Sequence, residues 1–308
     1  MNTAEVVAHN LRIDHMTAVV FRAFDDERVG AVLLKGPSTR RWLYADDPRR
    51  YYDCDLLVSP ATVDAAERVL RDLGFAPALE ERKMPEWWRE HAVEWVHPEL
   101  GAVDLHRTLK GVGVDGERLW EVLSAETETM MVGGHPTAIL SAPARALQLA
   151  LNTAGDGFDN GDLARAILAV DRAVWERAAE LGRRLDATAG LATGLRAGAL
   201  GEVVADELGL PRANSVEAAL RGRAQPPALT IDRLARAGPR ERIAIVVRKL
   251  FPPPTFMRHW APAARRGRAG LLLSYVQRLR WVARNAPGAV RSWRRARRTV
   301  QAEPPDET

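Results

Sequence analysis

The sequence predicts an α+β first half followed by an all-α second half, and three observations carry this. Short apolar runs of strand length, bounded by Gly, Pro and Asp, are confined to residues 1–140. From Pro143 onward apolar residues recur at helical spacing, and no strand pattern of any strength returns. Finally, Asp53 and Asp55, and later Asp104 and His106, occupy alternate positions of two β-type runs, so each pair emerges on one face of its strand. The expected organisation is a domain over residues 1–140 and a helical domain over residues 141–308 with a basic C-terminal segment.

The elements follow in order. Residues 4–24 predict a helix from Val6, Val7, Leu11, Ile13, Met16, Val19, Val20 and Phe24, close to a 3.6-residue period. Val29 to Leu34 is a short strand ending at Lys35-Gly36-Pro37, and Pro37 suits the first turn of a helix over 38–44. Asp53 to Val58 is the second strand, closed by Ser59-Pro60. Ala61 to Leu73 is a helix with Gly74 as C-cap. A hairpin over 93–96 and 102–109, a helix over 117–123 and a small β element over 130–139, turning at Gly133-Gly134, complete the first half. Helices are predicted over 143–153, 162–186, 188–208, 215–221, 230–236, 240–250 and 269–285.

Composition narrows the classes. The 308 residues are 46% hydrophobic and 27% charged, which is globular rather than disordered or fibrous. The single cysteine, Cys54, excludes an internal disulfide and a zinc cluster of several thiolates. The N-terminus shows no secretory pattern, and Leu271-Leu272-Leu273 is far too short to span a bilayer, so the expectation is a soluble cytoplasmic protein. The net charge of +4 hides a division. Residues 242–302 carry 15 Lys or Arg and no Asp or Glu, and residues 303–308 carry three acids, which leaves residues 1–241 at −8.

The most informative stretch is Tyr51-Tyr52-Asp53-Cys54-Asp55-Leu56-Leu57-Val58. Two carboxylates two residues apart on a strand repel each other unless a counterion joins them, and Mg²⁺ commonly takes one or two carboxylates plus phosphate oxygens. The plain alternative is a strand end with two solvated acids. Context favours the cation. Upstream, Leu34-Lys35-Gly36-Pro37-Ser38 ends a strand, where glycine admits a close ligand and Ser38 Oγ and the helix-opening amides can meet phosphate oxygens. Downstream, Asp104 supplies a third carboxylate on the strand that also carries His106. In-line phosphoryl transfer uses such a set: one ion on the attacking oxygen, another on the leaving pyrophosphate, and an acid that shares a metal or takes the proton.

These segments resemble a known family. Val32-Leu33-Leu34-Lys35-Gly36, then Trp42-Leu43-Tyr44, then Arg50 with Asp53-Cys54-Asp55-Leu56-Leu57-Val58, then Gly74-Phe75 and Val103-Asp104-Leu105-His106, are similar to the uncharacterised nucleotidyltransferase family of the DNA-polymerase-β-like superfamily. The helical half resembles actinobacterial members, some found beside lasso-peptide genes. The resemblance implies a polymerase-β-like domain followed by a helical domain, and transfer of an NMP from an NTP, with two Mg²⁺ ions, to an unknown hydroxyl-type acceptor. It implies metal and catalytic roles for Asp53, Asp55 and Asp104, and nucleotide-binding roles for Lys35, Gly36, Ser38 and Arg50. His106 is a weaker substrate-orienting candidate, equally readable as a hydrogen-bonded strand histidine. The rival reading is a non-catalytic binding or regulatory module of the same fold in a peptide-maturation assembly.

Other signals have plainer readings. Gly111-Val112-Gly113-Val114-Asp115-Gly116 matches a dinucleotide fingerprint, but no acid follows at the expected distance, so it is a glycine-rich loop. Asp162 is expected to N-cap its helix, and the acidic run 156–162 lacks the order of a calcium loop. Trp87, Trp88 and Trp95 are core or cleft-wall residues, and Cys54 points into the sheet. In the basic end, Leu271, Leu272, Tyr275, Val276, Leu279 and Val282 share a helical face expected to pack on the helical half. Its second reading is attraction, through residues 265–298, to nucleotide phosphates, an acidic partner or an anionic membrane surface. No sequence-reading motif accompanies the charge, so sequence-specific nucleic-acid binding is not expected.

Overall fold

A computed structural model describes residues 3–45, 47, 49–78, 92–156, 161–212, 216 and 226–302. The predicted helix over 215–221 apart from residue 216, Trp87, Trp88 and most of the acidic run 156–162 lie outside the described residues. The first half folds as α1 (Thr3–Asp26), β1 (Ala31–Leu33), α2 (Pro37–Leu43), β2 (Asp53–Val58), α3 (Val63–Asp72), β3 (Ala76–Pro77), β4 (Ala92–His97), β5 (Gly101–His106), α4 (Gly116–Ser124), β6 (Thr127–Val132) and β7 (His135–Leu140). The strands form one mixed seven-stranded sheet in the order β3-β4-β5-β2-β1-β7-β6. β2 runs parallel to β5, β1 runs parallel to β7, and the remaining neighbours are antiparallel. This is the α+β class that the alternating runs predict, with flanking helices and a helical C-terminal region.

Strand alternation sorts the sheet into two faces. Leu33, Cys54, Leu56, Val58, Val103 and Leu105 bury one face against α1 and α3, and Trp95 lies in the same core. On α1 the buried residues Val6, Asn10, Ile13, Met16, Val20 and Phe24 recur every three or four positions, while Val7 and Leu11 turn to solvent. Val32, Leu34, Leu57 and Leu140 face the other way, into a second core with α4 and the helices that follow.

Those helices are α5 (Ala142–Asp156), α6 (Asp162–Ala169), α7 (Arg172–Arg184), α8 (Thr188–Leu195) and α9 (Ala199–Glu207). The continuous helices expected over 162–186 and 188–208 are each two. Val170 and Asp171 take extended backbone between α6 and α7, and Gly198 does so between α8 and α9. Two compact units result: among the described residues, one takes in those up to Leu210 apart from Asp156, the other those from Pro211 on. Strands stop at Leu140, yet the first unit continues to Leu210, because Leu147, Leu151, Trp175, Leu191 and Leu195 share a core with the sheet residues Val32 and Leu57.

The second unit contains helices Pro226–Arg236, Pro239–Leu250, Pro254–Trp260 and Gly267–Ala302. The third of these has no counterpart in the sequence expectation. The last runs well beyond the predicted residue 285 and carries Pro287 in its interior. Among the described residues no helix is long and apolar enough to cross a membrane.

Candidate active site

The carboxylates meet because of strand register. Asp55 of β2 lies directly opposite Asp104 of the parallel strand β5, with Leu57 opposite His106. Alternation therefore places Asp53, Asp55, Asp104 and His106 on the face that carries Leu57. β1 runs antiparallel to β2 with Leu33 opposite Leu56, and the Leu34 amide donates to the Asp55 carbonyl at 2.9 Å. The chain leaving β1 thereby delivers Lys35 to the start of β2.

Asp55 is the centre of the group and is 1% exposed. Its Oδ1 lies 3.0 Å from Lys35 Nζ and 3.2 Å from His106 Nε2. Its buried Oδ2 has no hydrogen-bond partner among the described residues. One ligand atom from each of Asp55, Asp104 and His106 lies within 4.8 Å of the other two. An acid with one buried oxygen lacking a donor, grouped with a second carboxylate and an imidazole, gives a donor set that fits a divalent cation. Asp53 is not one of that trio; it sits beside Asp55 as its electrostatic neighbour.

Electrostatics follow the crowding. Burial, then the Asp55 charge, pushes the Asp53 carboxyl up to about 6. Burial, and again Asp55, holds Asp104 above its ordinary range. Asp55 goes the other way: burial opposes its charge, but the His106 hydrogen bond and Lys35 outweigh it and keep the carboxyl low. Burial would lower Lys35, yet the charges of Asp55, Asp53 and Asp104 raise it, so the ammonium is retained.

The other predicted residues scatter around this group. Gly36 takes φ +73°, which only glycine adopts freely, and it starts α2. Ser38 is fully buried and its Oγ has no hydrogen-bond partner among the described residues, so contact with a phosphate requires the turn to open. Arg50 turns to His9, with Nη2 3.2 Å from Nδ1, and lies over the Tyr52 ring at 4.7 Å. Cys54 is fully buried, as its place on the strand predicts. The loop 111–116 is a packing device: a Cβ on Gly113 would fall 2.1 Å from Asp186 Oδ2, and Asp115 caps α4 by accepting from the Arg118 amide at 2.8 Å.

Two supports of the site are not apparent from motifs. On α1, Asn10 Nδ2 donates to the Arg49 carbonyl at 2.8 Å, His9 Nε2 lies 2.9 Å from the Tyr51 carbonyl, and Tyr51 Oη donates to Asp14 Oδ1 at 2.5 Å. Asn10 falls on the apolar face of α1, and that mismatch is the sequence signal for it. From the opposite direction, the buried Asp162 carboxylate accepts from both Arg49 Nε (2.8 Å) and Arg49 Nη2 (2.5 Å), and from Tyr44 Oη (2.6 Å). Asp162 is therefore not an N-cap. Gly161 holds that position in left-handed backbone, and Asp162 is the first helical residue, turned inward. Both supports grip residues 49–51, which lead into Asp53.

A mixed sheet of this order, with clustered carboxylates on one face, is not the parallel sheet of a dinucleotide binder. The family described as an uncharacterised nucleotidyltransferase matches residues 2–208, and the chain belongs to it. No curated protein matches the chain. Among solved structures, it is similar to the antibiotic-resistance factor ANT(2'')-Ia at 14% identity and a TM-score of 0.37, covering 61% of this chain and 96% of that one. It is also similar to an antigenic nucleotidyltransferase-like protein from Paracoccidioides brasiliensis at 17% identity and a TM-score of 0.34, covering 58% and 92%.

Proposed function

We propose that the chain is a Mg²⁺-dependent nucleotidyltransferase that moves a nucleoside monophosphate from an NTP to a hydroxyl-type acceptor. The observation that carries this is the meeting of Asp55, Asp104 and His106, beside Asp53 and Lys35, on one face of β2 and β5. Family membership supports the class of reaction. When bound, the cation supplies charge neutralisation for the phosphates and the leaving group. Asp55 and Asp104, with Asp53 alongside, would hold it. His106 fixes the Asp55 carboxylate through Oδ1, leaving Oδ2 available. Lys35, one residue before the Gly36 turn, meets the triphosphate.

In the step itself, the acceptor oxygen bonds to the α-phosphorus as the bond to the β-phosphate oxygen breaks. Pyrophosphate leaves with the electron pair, and the acceptor proton passes to Asp104, the carboxylate set opposite Asp55. The test is NTP consumption and pyrophosphate release with Mg²⁺ across hydroxyl acceptors, comparing wild type with Asp53→Ala/Asp55→Ala. Turnover by wild type and its loss in the variant is the expected result. Equal nucleotide binding and turnover in the two proteins sinks the proposal.

A further inference from the structure

The second compact unit carries a feature that the carboxylate site does not use. Residues 242–302 contain 15 Lys or Arg and no acid, and the structure shows how the apolar residues of that stretch are placed. The predicted packing face of the last helix is split. Leu271 and Tyr275 pack with Phe256, Met257, Ala261 and Ala264, and Tyr275 Oη donates to the Pro252 carbonyl at 2.5 Å. Further along, Ala289 and Ala296 are buried with Trp293, whose indole donates to Asp232. These residues form the seam by which helix Gly267–Ala302 is held in its unit.

Leu272 and Val276, four residues apart, are exposed and point away from that seam, with exposed Leu273 alongside and Leu279 half-buried. Leu272 is 67% exposed and Leu273 is 50% exposed. Arg280, Arg284 and Arg291, all exposed, flank this stripe on the Leu273 side. Helix Pro239–Leu250 repeats the pattern. It has no buried residue at all, and Ile243, Val246 and Val247 are exposed along one face.

We infer that helix Gly267–Ala302, seconded by Pro239–Leu250, is a docking surface for an anionic lipid bilayer. Aliphatic side chains rimmed by arginine are what an interfacial helix offers to acyl chains and headgroup phosphates. A protein partner is matched by charges of both signs that fix its register, and apart from Glu241 in the first turn of Pro239–Leu250 these two helices carry only positive charge. A nucleic acid has no use for an aliphatic stripe, since its phosphates take the arginines and its bases take aromatic platforms. A fluid anionic surface needs no register, and it accepts both parts of the face. The surface would bring the carboxylate-bearing chain to a membrane-associated acceptor without any spanning helix.

The experiment is co-sedimentation of the full chain with vesicles of phosphatidylcholine alone and of phosphatidylcholine mixed with phosphatidylglycerol, at low and high salt. Leu272→Glu/Val276→Glu and Arg280→Gln/Arg284→Gln are run in parallel, with thermal midpoints to confirm that each is folded. Binding to the mixed vesicles only, weakened by salt and reduced roughly ten-fold by either double substitution, is expected. Three results overturn the inference: no binding to mixed vesicles, equal binding to both compositions, or binding that the Glu pair leaves unchanged. The last, with equal capture of tRNA by wild type and Glu pair, would assign the face to polyanions instead.

Discussion

Lys35 Nζ lies 3.0 Å from Asp55 Oδ1, so the ammonium occupies one lobe of the carboxylate around which the site is built. Asp55 is almost wholly buried, whereas the Lys35 side chain is 35% exposed. The lysine is an internal counterion for an acid that would otherwise be crowded by Asp53 and Asp104. It is the partly exposed member of the pair.

Lys35→Met is expected to tighten divalent-cation binding while weakening NTP binding. Removing one positive charge close to Asp55 favours a divalent cation by at least roughly ten-fold, even at the dielectric of bulk water. Titration calorimetry with Mn²⁺ and with a non-hydrolysable NTP, run separately, reads the two effects. Weaker Mn²⁺ binding in the variant would mean that Lys35 organises the site rather than competing for it.

The apo protein is expected to lose stability as pH rises from about 4 to above 6. Asp53 has its folded pKa raised to about 6, so its contribution is complete below the unfolded value and is lost as pH passes the folded one. Asp104 is shifted in the same direction. The Asp53 shift corresponds to at most about 3 kcal/mol. Saturating Mg²⁺ or Mn²⁺ should flatten this decline, and Asp53→Asn should raise the metal-free melting temperature at pH 7 while shrinking the metal response. Melting curves across pH, with EDTA and with metal, decide it.

Asp162→Ala should destabilise the fold by about 3–5 kcal/mol, because it strands the part-buried Arg49 guanidinium and the Tyr44 hydroxyl together. Tyr44→Phe removes one hydrogen bond and should cost about 1 kcal/mol. Urea denaturation measures both. If the two substitutions cost the same, the Arg49 pair is not what ties α6 to the segment entering β2.

Gly194→Ala should be poorly tolerated, although it is a helix-favouring change. A Cβ there would lie 1.9 Å from the Ala150 carbonyl oxygen, so α8 must back away from α5. Overpacking of this kind costs about 1–3 kcal/mol, more where backbone is the obstacle. Gly198→Ala, with nothing within 4 Å of its Cβ, is the control and should leave the melting temperature nearly unchanged.

The sequence by itself determined the periodicities, and with them the faces. Asp53-Cys54-Asp55 on a strand can only present its acids together and its cysteine opposite. Val6 to Phe24 can only bury one side of a helix. The change from two-residue to 3.6-residue spacing after residue 140 marks where strands end. These are local consequences of backbone geometry, and β1, β2, β4, β5 and α1 appear where they predict. Tertiary structure alone decided the register that sets Asp55 against Asp104, the Lys35 and His106 contacts on one oxygen, and the inward turn of Asp162. It also decided that the helices up to Leu210 share the sheet's core, and that Leu272 and Val276 face solvent while Leu271 and Tyr275 are covered. Each of those depends on which other element comes to lie alongside, and pairing such as Asp55 with His106, 51 residues apart, or Arg49 with Asp162, 113 apart, leaves no mark in local spacing.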